Sequence, residues 1–208
     1  MDQLLWLPQH SDLSAAIGEA KRETDPTARL TQATRLAGYR RDFTQTTRLE
    51  RLASEGLQAL TNSETSTPGL RSLRIALLAS HTVDHLVPAI RVAGLQRRLA
   101  ISVHVAPYGM YRQALLMEDA ELTRFAPQLI VLALDARDAP LQLPLEASQA
   151  EVDAAVSGRV DELRLLWRRA RERGRWRRAP ARQRLCHRSS GWYAYLCANS
   201  HHGGRRLH

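Results

Sequence analysis

The sequence predicts an α/β fold: an incomplete parallel sheet with helices on both faces, preceded by a small helical subdomain. Three observations carry this expectation. Two short apolar runs, LRIALLAS at residues 73–80 and QLIVLALD at 128–135, each end in a small or acidic residue, as strands buried on both faces do. Between them Ile101-Ser102-Val103-His104-Val105 alternates apolar and polar positions. The segments separating these three runs have the length and apolar spacing of helices, so the strands are joined by right-handed crossovers.

In chain order, residues 1–60 form the helical part. Asp25-Pro26 is a helix start, with the acid as N-cap and proline in the first turn, where its missing N–H is not needed. Leu30, Ala33 and Ala37 share one face, and Leu49, Leu52, Leu57 and Leu60 make a second stripe. Residues 61–70 are polar, lack periodicity and close on Pro68-Gly69, so they serve as a linker. The first strand then occupies about Leu73 to Leu78. A helix must begin between Thr82 and Val87, because Pro88 is tolerated only in a first turn; it carries Val87, Ile90 and Gly94 toward the sheet.

After the second strand, Ala106-Pro107-Tyr108-Gly109 turns the chain away, and Tyr111 to Phe125 supplies one or two short helices. Leu129 to Leu134 is the third strand. A last helix starts at Ser148, which forms a capping-box pattern with Glu151 and is followed by an apolar stripe of Val152, Val156, Val160, Leu163 and Trp167. The α/β domain thus spans residues 71–167. Three strands make a thin sheet for this class, and an edge is left where further strands would add.

Charge divides the chain. The net charge is +9, yet residues 1–166 carry 18 basic and 20 acidic side chains, whereas residues 167–208 carry 12 and one. The same tail holds both cysteines, four of the eight histidines and three of the four tryptophans, and no Lys, Ile, Val, Phe or Met. Such a break marks residues 168–208 as a segment of different origin, either disordered or produced by reading a GC-rich gene in a wrong frame. Its arginines, interleaved with Trp176, Trp192, Tyr193 and Tyr195, suit nonspecific, salt-dependent nucleic-acid binding. Cys186, His187, Cys197 and the His201-His202 pair fit no common zinc-finger spacing. No apolar run reaches the ~20 residues needed to cross a bilayer, and Asp2 stands where a signal peptide would be positive. A cytoplasmic chain without membrane partners is expected.

The blocks LAGYRRDFTQTTRLERL, LRIALLASHTVDHLVPAIRVAGLQRRLAISVHVAPYGMYRQALL and FAPQLIVLALDARD, in this order, resemble the amino-terminal region of FkbH-like proteins, in subfamily IIIC of the haloacid dehalogenase (HAD) superfamily. The resemblance covers roughly residues 4–170. It implies an α/β domain similar to SGNH hydrolases, with a flavodoxin-like parallel sheet, followed in the family by a HAD domain that uses Mg²⁺ and an aspartate nucleophile. The activity it implies is dephosphorylation of a bisphosphoglycerate and loading of the glyceryl unit onto an acyl carrier protein, for polyketide-type biosynthesis. The HAD signature, a buried strand ending in Asp-x-Asp-x-Thr/Asn, does not occur in the 208 residues, and Asp135-Ala136-Arg137-Asp138 has the wrong spacing. The chain is therefore expected to be a truncated family member that keeps the amino-terminal binding module, holds no cofactor itself, and has an acyl carrier protein as its possible partner.

The SGNH likeness implies candidate sites at the carboxyl ends of the strands, where open α/β sheets place ligands. Ser80 occupies the nucleophile's place, near a helix start able to stabilise an oxyanion. Gly109 takes that of the second-block glycine and Asp135 that of the third-block asparagine. Thr82, Tyr108, Tyr111 and Arg112 are the further binding candidates, for an anion or a pantetheine-like arm. The triad's histidine and aspartate would come from a later segment, so the alternative, a serine esterase or acyltransferase, lacks a base; the simpler reading makes Ser80 an N-cap or turn residue and the aromatics core-closing. His81 and His85, four apart around Asp84, have a metal-binding spacing but no third ligand, and the preferred reading is that they are cap or surface histidines.

Overall fold

The computed structural model describes residues 6–62, 69–135 and 143–174. Three helices open the chain: α1 (Leu13–Arg22), α2 (Pro26–Leu36) and α3 (Phe43–Asn62). Each is started by an aspartate. Asp12 accepts the Ala15 N–H at 2.9 Å, and Asp25 accepts those of Thr27 and Ala28 at 3.2 and 2.9 Å, with Pro26 next in the first turn. Asp42 accepts the Gln45 N–H at 2.7 Å, while Gln45 Oε1 accepts the Asp42 N–H at 3.0 Å, a reciprocal cap. The expected faces are the buried ones. Leu30, Ala33, Ala37, Leu49, Leu52 and Leu60 form one core, with Leu57 against it.

Strands β1 (Arg71–Ala79), β2 (Leu99–Val105) and β3 (Leu129–Ala133) form a parallel sheet in the order β2-β1-β3. Ile75 sits beside Val103 on one side and Leu129 on the other. The central strand is the most buried, as its uninterrupted apolar run requires: every residue from Ile75 to Ala79 is inaccessible to solvent or nearly so. The α/β architecture with a small, open parallel sheet is thus the one the sequence predicts.

A 3₁₀ turn, Asp84–Leu86, leads into α4 (Val87–Leu95), with Pro88 in its first turn. This helix lies between two cores. Val87 and Ile90 face the sheet beside Ile75, Leu77 and Val103. Val92 and Leu95 point the other way, into the core of α1–α3. The helical part and the sheet are therefore joined through α4. Gly94 sets the approach: a Cβ there would stand 2.6 Å from Ile101 Cδ1 and 3.1 Å from the Leu99 carbonyl oxygen.

The opposite face of the sheet is covered by α5 (Tyr111–Leu116), α6 (Ala120–Phe125) and α7 (Gln149–Arg173), whose Tyr111, Leu115, Leu122 and Leu166 pack on Ala76 and Leu78. The Ser148–Glu151 capping box forms as expected, and the hydrogen bonds from Ser148 hold the Glu151 carboxyl below its usual range. The expected apolar stripe of α7 needs correction. Val156 and Val160 are exposed, and the residues that meet the core are Leu163, Leu166 and Ala170. Length explains the difference. Glu162 pairs with Arg112 beside the carboxyl end of β2, and Gly174 lies next to Gln128 at the entry to β3. The twelve residues between them rise about 18 Å, roughly the length of a five-residue strand, so the earlier turns of α7 extend past the sheet. The helix also continues to Arg173, beyond the change of composition after Trp167. Linker residues 63–68 and tail residues 175–208, with their cysteines, lie outside the described residues.

Arg41 is buried and fastens the end of α2: its Nη1 donates to the carbonyls of Ala37 at 2.6 Å and Tyr39 at 2.9 Å. Desolvation lowers its pKa. No helix among the described residues is long and apolar enough to cross a membrane.

Candidate functional site

The carboxyl end of the sheet brings Ser80 and Asp135 together. β1 delivers Ser80 directly after Ala79, and β3 delivers Asp135 two residues after Ala133. The Ser80 N–H donates to the Ala133 carbonyl at 3.1 Å, and Ser80 Oγ accepts the Asp135 N–H at 2.9 Å. The serine is only 4% exposed. Ser80 thereby extends the pairing of β1 with β3 by one side-chain hydrogen bond, where the backbone ladder ends. Its hydroxyl oxygen faces a peptide N–H. Among the described residues no imidazole or carboxylate is bonded to it.

One expectation for Ser80 is corrected by this geometry. It is not an N-cap, because Pro88 holds the start of α4 at Val87, seven residues on, and the 3₁₀ turn is preceded by Val83. Val83 is buried and anchors the loop, while Thr82 beside it is exposed. His81 and His85 do not share a helical face. His81 precedes the helix, is half-buried, and has its Nδ1 buried without a hydrogen-bond partner, whereas His85 is exposed. Among the described residues no group of three or more His, Cys, Asp or Glu side chains is placed to hold a metal.

The second loop, after β2, presents Tyr108 and Gly109 and withdraws Tyr111. Gly109 adopts φ +71°, and a Cβ there would meet nothing within 4 Å, so backbone conformation, not space, calls for glycine. Tyr108 is 75% exposed. Tyr111, expected as a lining residue or as a plug, is the plug: it is buried in the core beneath α5. Arg112 lies over its ring at 5.4 Å and places Nε 2.8 Å from Glu162 Oε1, an ion pair without hydrogen-bond alignment. Glu162 is shared with Arg159 of the same helix. Arg112, expected to meet an anion, is thus held by a carboxylate that serves two arginines, and the group of three keeps a net positive charge. The sequence offered no hint of this, since Glu162 is fifty residues away.

The carboxyl end of the sheet therefore holds a buried serine bonded to a peptide N–H, an exposed tyrosine-glycine turn and an ion-paired arginine. It can present a surface. Among the described residues it has no aligned nucleophile and base.

No protein-family model matches the chain. No curated protein matches it. A solved structure that does match is the N-terminal part of the protein BF1531 from Bacteroides fragilis, containing a phosphatase domain and complexed with Mg: the two are 22% identical with a TM-score of 0.42. The match covers 55% of this chain and 29% of that one, so the chain corresponds to less than a third of its length.

Proposed function

We propose that this chain is a binding module of the kind that leads FkbH-like proteins, and that it acts without a serine nucleophile of its own. The observation that carries this reading is the state of Ser80, which is 4% exposed with its Oγ accepting the Asp135 N–H. Serine hydrolases need the opposite: a hydroxyl open to the acyl carbon and a base that takes its proton. The sequence blocks described above support the family side of the proposal. In that family the phosphoryl and glyceryl chemistry belongs to the Mg²⁺-dependent HAD part, and the module's contribution here is to hold a partner, an acyl carrier protein, close to it.

The test has two arms. The purified chain and its Ser80→Ala variant are compared for hydrolysis of p-nitrophenyl acetate, and equal background rates are expected. Hydrolysis that disappears with Ser80→Ala would establish the serine esterase reading instead. In the second arm the chain is passed over an immobilised phosphopantetheinylated acyl carrier protein, and retention at micromolar concentration is expected. Failure to bind removes the partner, and Mg²⁺-dependent release of inorganic phosphate by the chain alone removes the noncatalytic role.

A further inference from the structure

The amino-terminal end of the sheet carries a feature that the Ser80 region does not use. A cavity of about 760 Å³ opens between α2, the segment at Trp6–Leu7 and the turn that follows α4. It is separated from Ser80 by the length of β1, about 30 Å for nine residues. Its volume falls in the roughly 300–1,000 Å³ range of small-molecule sites. Leu7, Leu30 and Leu95 are its buried lining, and Trp6, 66% exposed, lines it as well.

Arg35, Arg97 and Arg98 form the rim. All three are exposed, and among the described residues none is in an ion pair and no carboxylate lines the cavity. Other arginines, among them Arg91 with Glu50 and Arg112 with Glu162, have acidic partners, while Arg48 and Arg51 are in no ion pair within the described residues, so it is the gathering of three such side chains on one cavity that sets these apart. Three arginines lining one cavity, unpaired within the described residues, raise the local concentration of anions, and their planar forks match phosphate oxygens.

Arg98 ends the turn after α4 at φ +57°, with its N–H donating to Leu95 O at 3.0 Å. A left-handed residue after a helix is ordinarily glycine, since a Cβ there is unfavourable by about 1 kcal/mol. Ala126 ends α6 in the same conformation at φ +50°, so the backbone alone does not single out Arg98; its place on the cavity does. Gln96 steadies the turn by donating from Nε2 to the Ala37 carbonyl at 2.5 Å.

We propose that this cavity binds an organic phosphate with a flat ring, of the nucleoside diphosphate class, with the ring against Trp6 and the buried leucines and the phosphates held by Arg35, Arg97 and Arg98. An inorganic anion would leave the indole and the leucines unused. An uncharged ring would leave three cations without a partner. Only a ligand with both parts uses the whole lining.

The experiment is calorimetric titration of the full chain with ADP, adenosine and pyrophosphate as probes. ADP is expected to bind at least about tenfold more tightly than either fragment. Arg98→Gly is the decisive variant, because glycine is relaxed at a positive φ and the fold should be kept or strengthened. It is expected to weaken ADP about tenfold while its melting temperature stays level or rises. Trp6→Ala should weaken ADP while leaving pyrophosphate unchanged. Diffuse attraction by the many arginines of a +9 chain would be nearly unaltered by removing one of them. The proposal is overturned if ADP binds no better than pyrophosphate, or if either variant binds ADP as wild type does.

Discussion

Replacing Ser80 by alanine separates a structural serine from a catalytic one through stability, before any substrate is known. The change removes one oxygen that accepts the Asp135 N–H at 2.9 Å and creates almost no cavity. An intramolecular hydrogen bond contributes about 0.5–1.5 kcal/mol net, and a donor left buried without a partner costs about 1–3 kcal/mol. Asp135 is half-buried, so water can reach part of the freed N–H, and the expected loss is about 1–2 kcal/mol. For a chain of this size that lowers the melting temperature by about 2–8 °C. Thr82→Ala, two residues on at an exposed position, is the control and should stay within about 0.5 kcal/mol of wild type. Thermal and urea unfolding followed by circular dichroism measure both. A Ser80→Ala protein as stable as wild type would mean that Ser80 does not tie β1 to β3, and the structural account of this residue would fail.

Other consequences are as direct. Gly94→Ala gains about 1 kcal/mol of helix propensity but sets a Cβ 2.6 Å from Ile101 Cδ1, and overpacking of about 1–3 kcal/mol outweighs the gain. Urea unfolding should show a less stable protein, with Ile101→Ala in the same chain partly relieving the effect; a Gly94→Ala protein more stable than wild type contradicts the close packing of α4. Leu166→Ala, at 1% exposure, should lose about 2–5 kcal/mol, whereas Val156→Ala at 44% exposure should change stability by less than about 0.5 kcal/mol. Equal losses would restore the stripe expected from the sequence. Because Glu151 has a lowered pKa in the folded chain, its cap on α7 is present above the ordinary carboxylate range and is lost as the pH falls through the folded value. Melting curves of wild type and Glu151→Gln should therefore diverge at neutral pH and converge in acid, and a gap independent of pH would show that the cap's charge is irrelevant.

Local patterns account for what the sequence made legible. A continuous apolar run, an Asp-Pro start, a proline confined to a first turn and a Ser-x-x-Glu box each fix backbone within a few residues: α2, α4 and α7 begin where these signals put them, and β1 begins two residues before the expected Leu73. What was missed depends on contacts between distant segments. Arg41 is buried because α2 ends in front of it and needs two donors for its carbonyls. Arg112 is paired with Glu162, and Val156 is exposed because α7 outruns a short sheet. The second face of α4, Val92 and Leu95, could have been found, since a helix apolar on two sides has to be covered on two sides. The place of Ser80 at the end of β1 was legible and the surroundings of its hydroxyl were not, because a serine after a strand looks the same whether that hydroxyl meets substrate or a neighbouring peptide N–H.

Deleting the donor in place of the acceptor tests this same contact from the other side. If Ser80 were a nucleophile held shut, reaching a substrate would require the Asp135 N–H to be released, at about 1–3 kcal/mol, so that between about a fifth and a hundredth of the molecules would be open. Asp135→Pro removes that N–H and leaves the serine in place. A shut esterase would then hydrolyse p-nitrophenyl acetate faster by up to the reciprocal of the open fraction, and Ser80→Ala in the same background would abolish the gain. A binding module whose serine only joins two strands has no rate to release: Asp135→Pro, which also removes the Asp135 carboxylate, should cost at least as much stability as Ser80→Ala, leave hydrolysis at background, and give a combined loss smaller than the sum of the two, since both remove the Ser80–Asp135 bond. A rate that rises with Asp135→Pro and falls again with Ser80→Ala would identify a catalytic serine behind a closed loop and refute the structural role argued for Ser80.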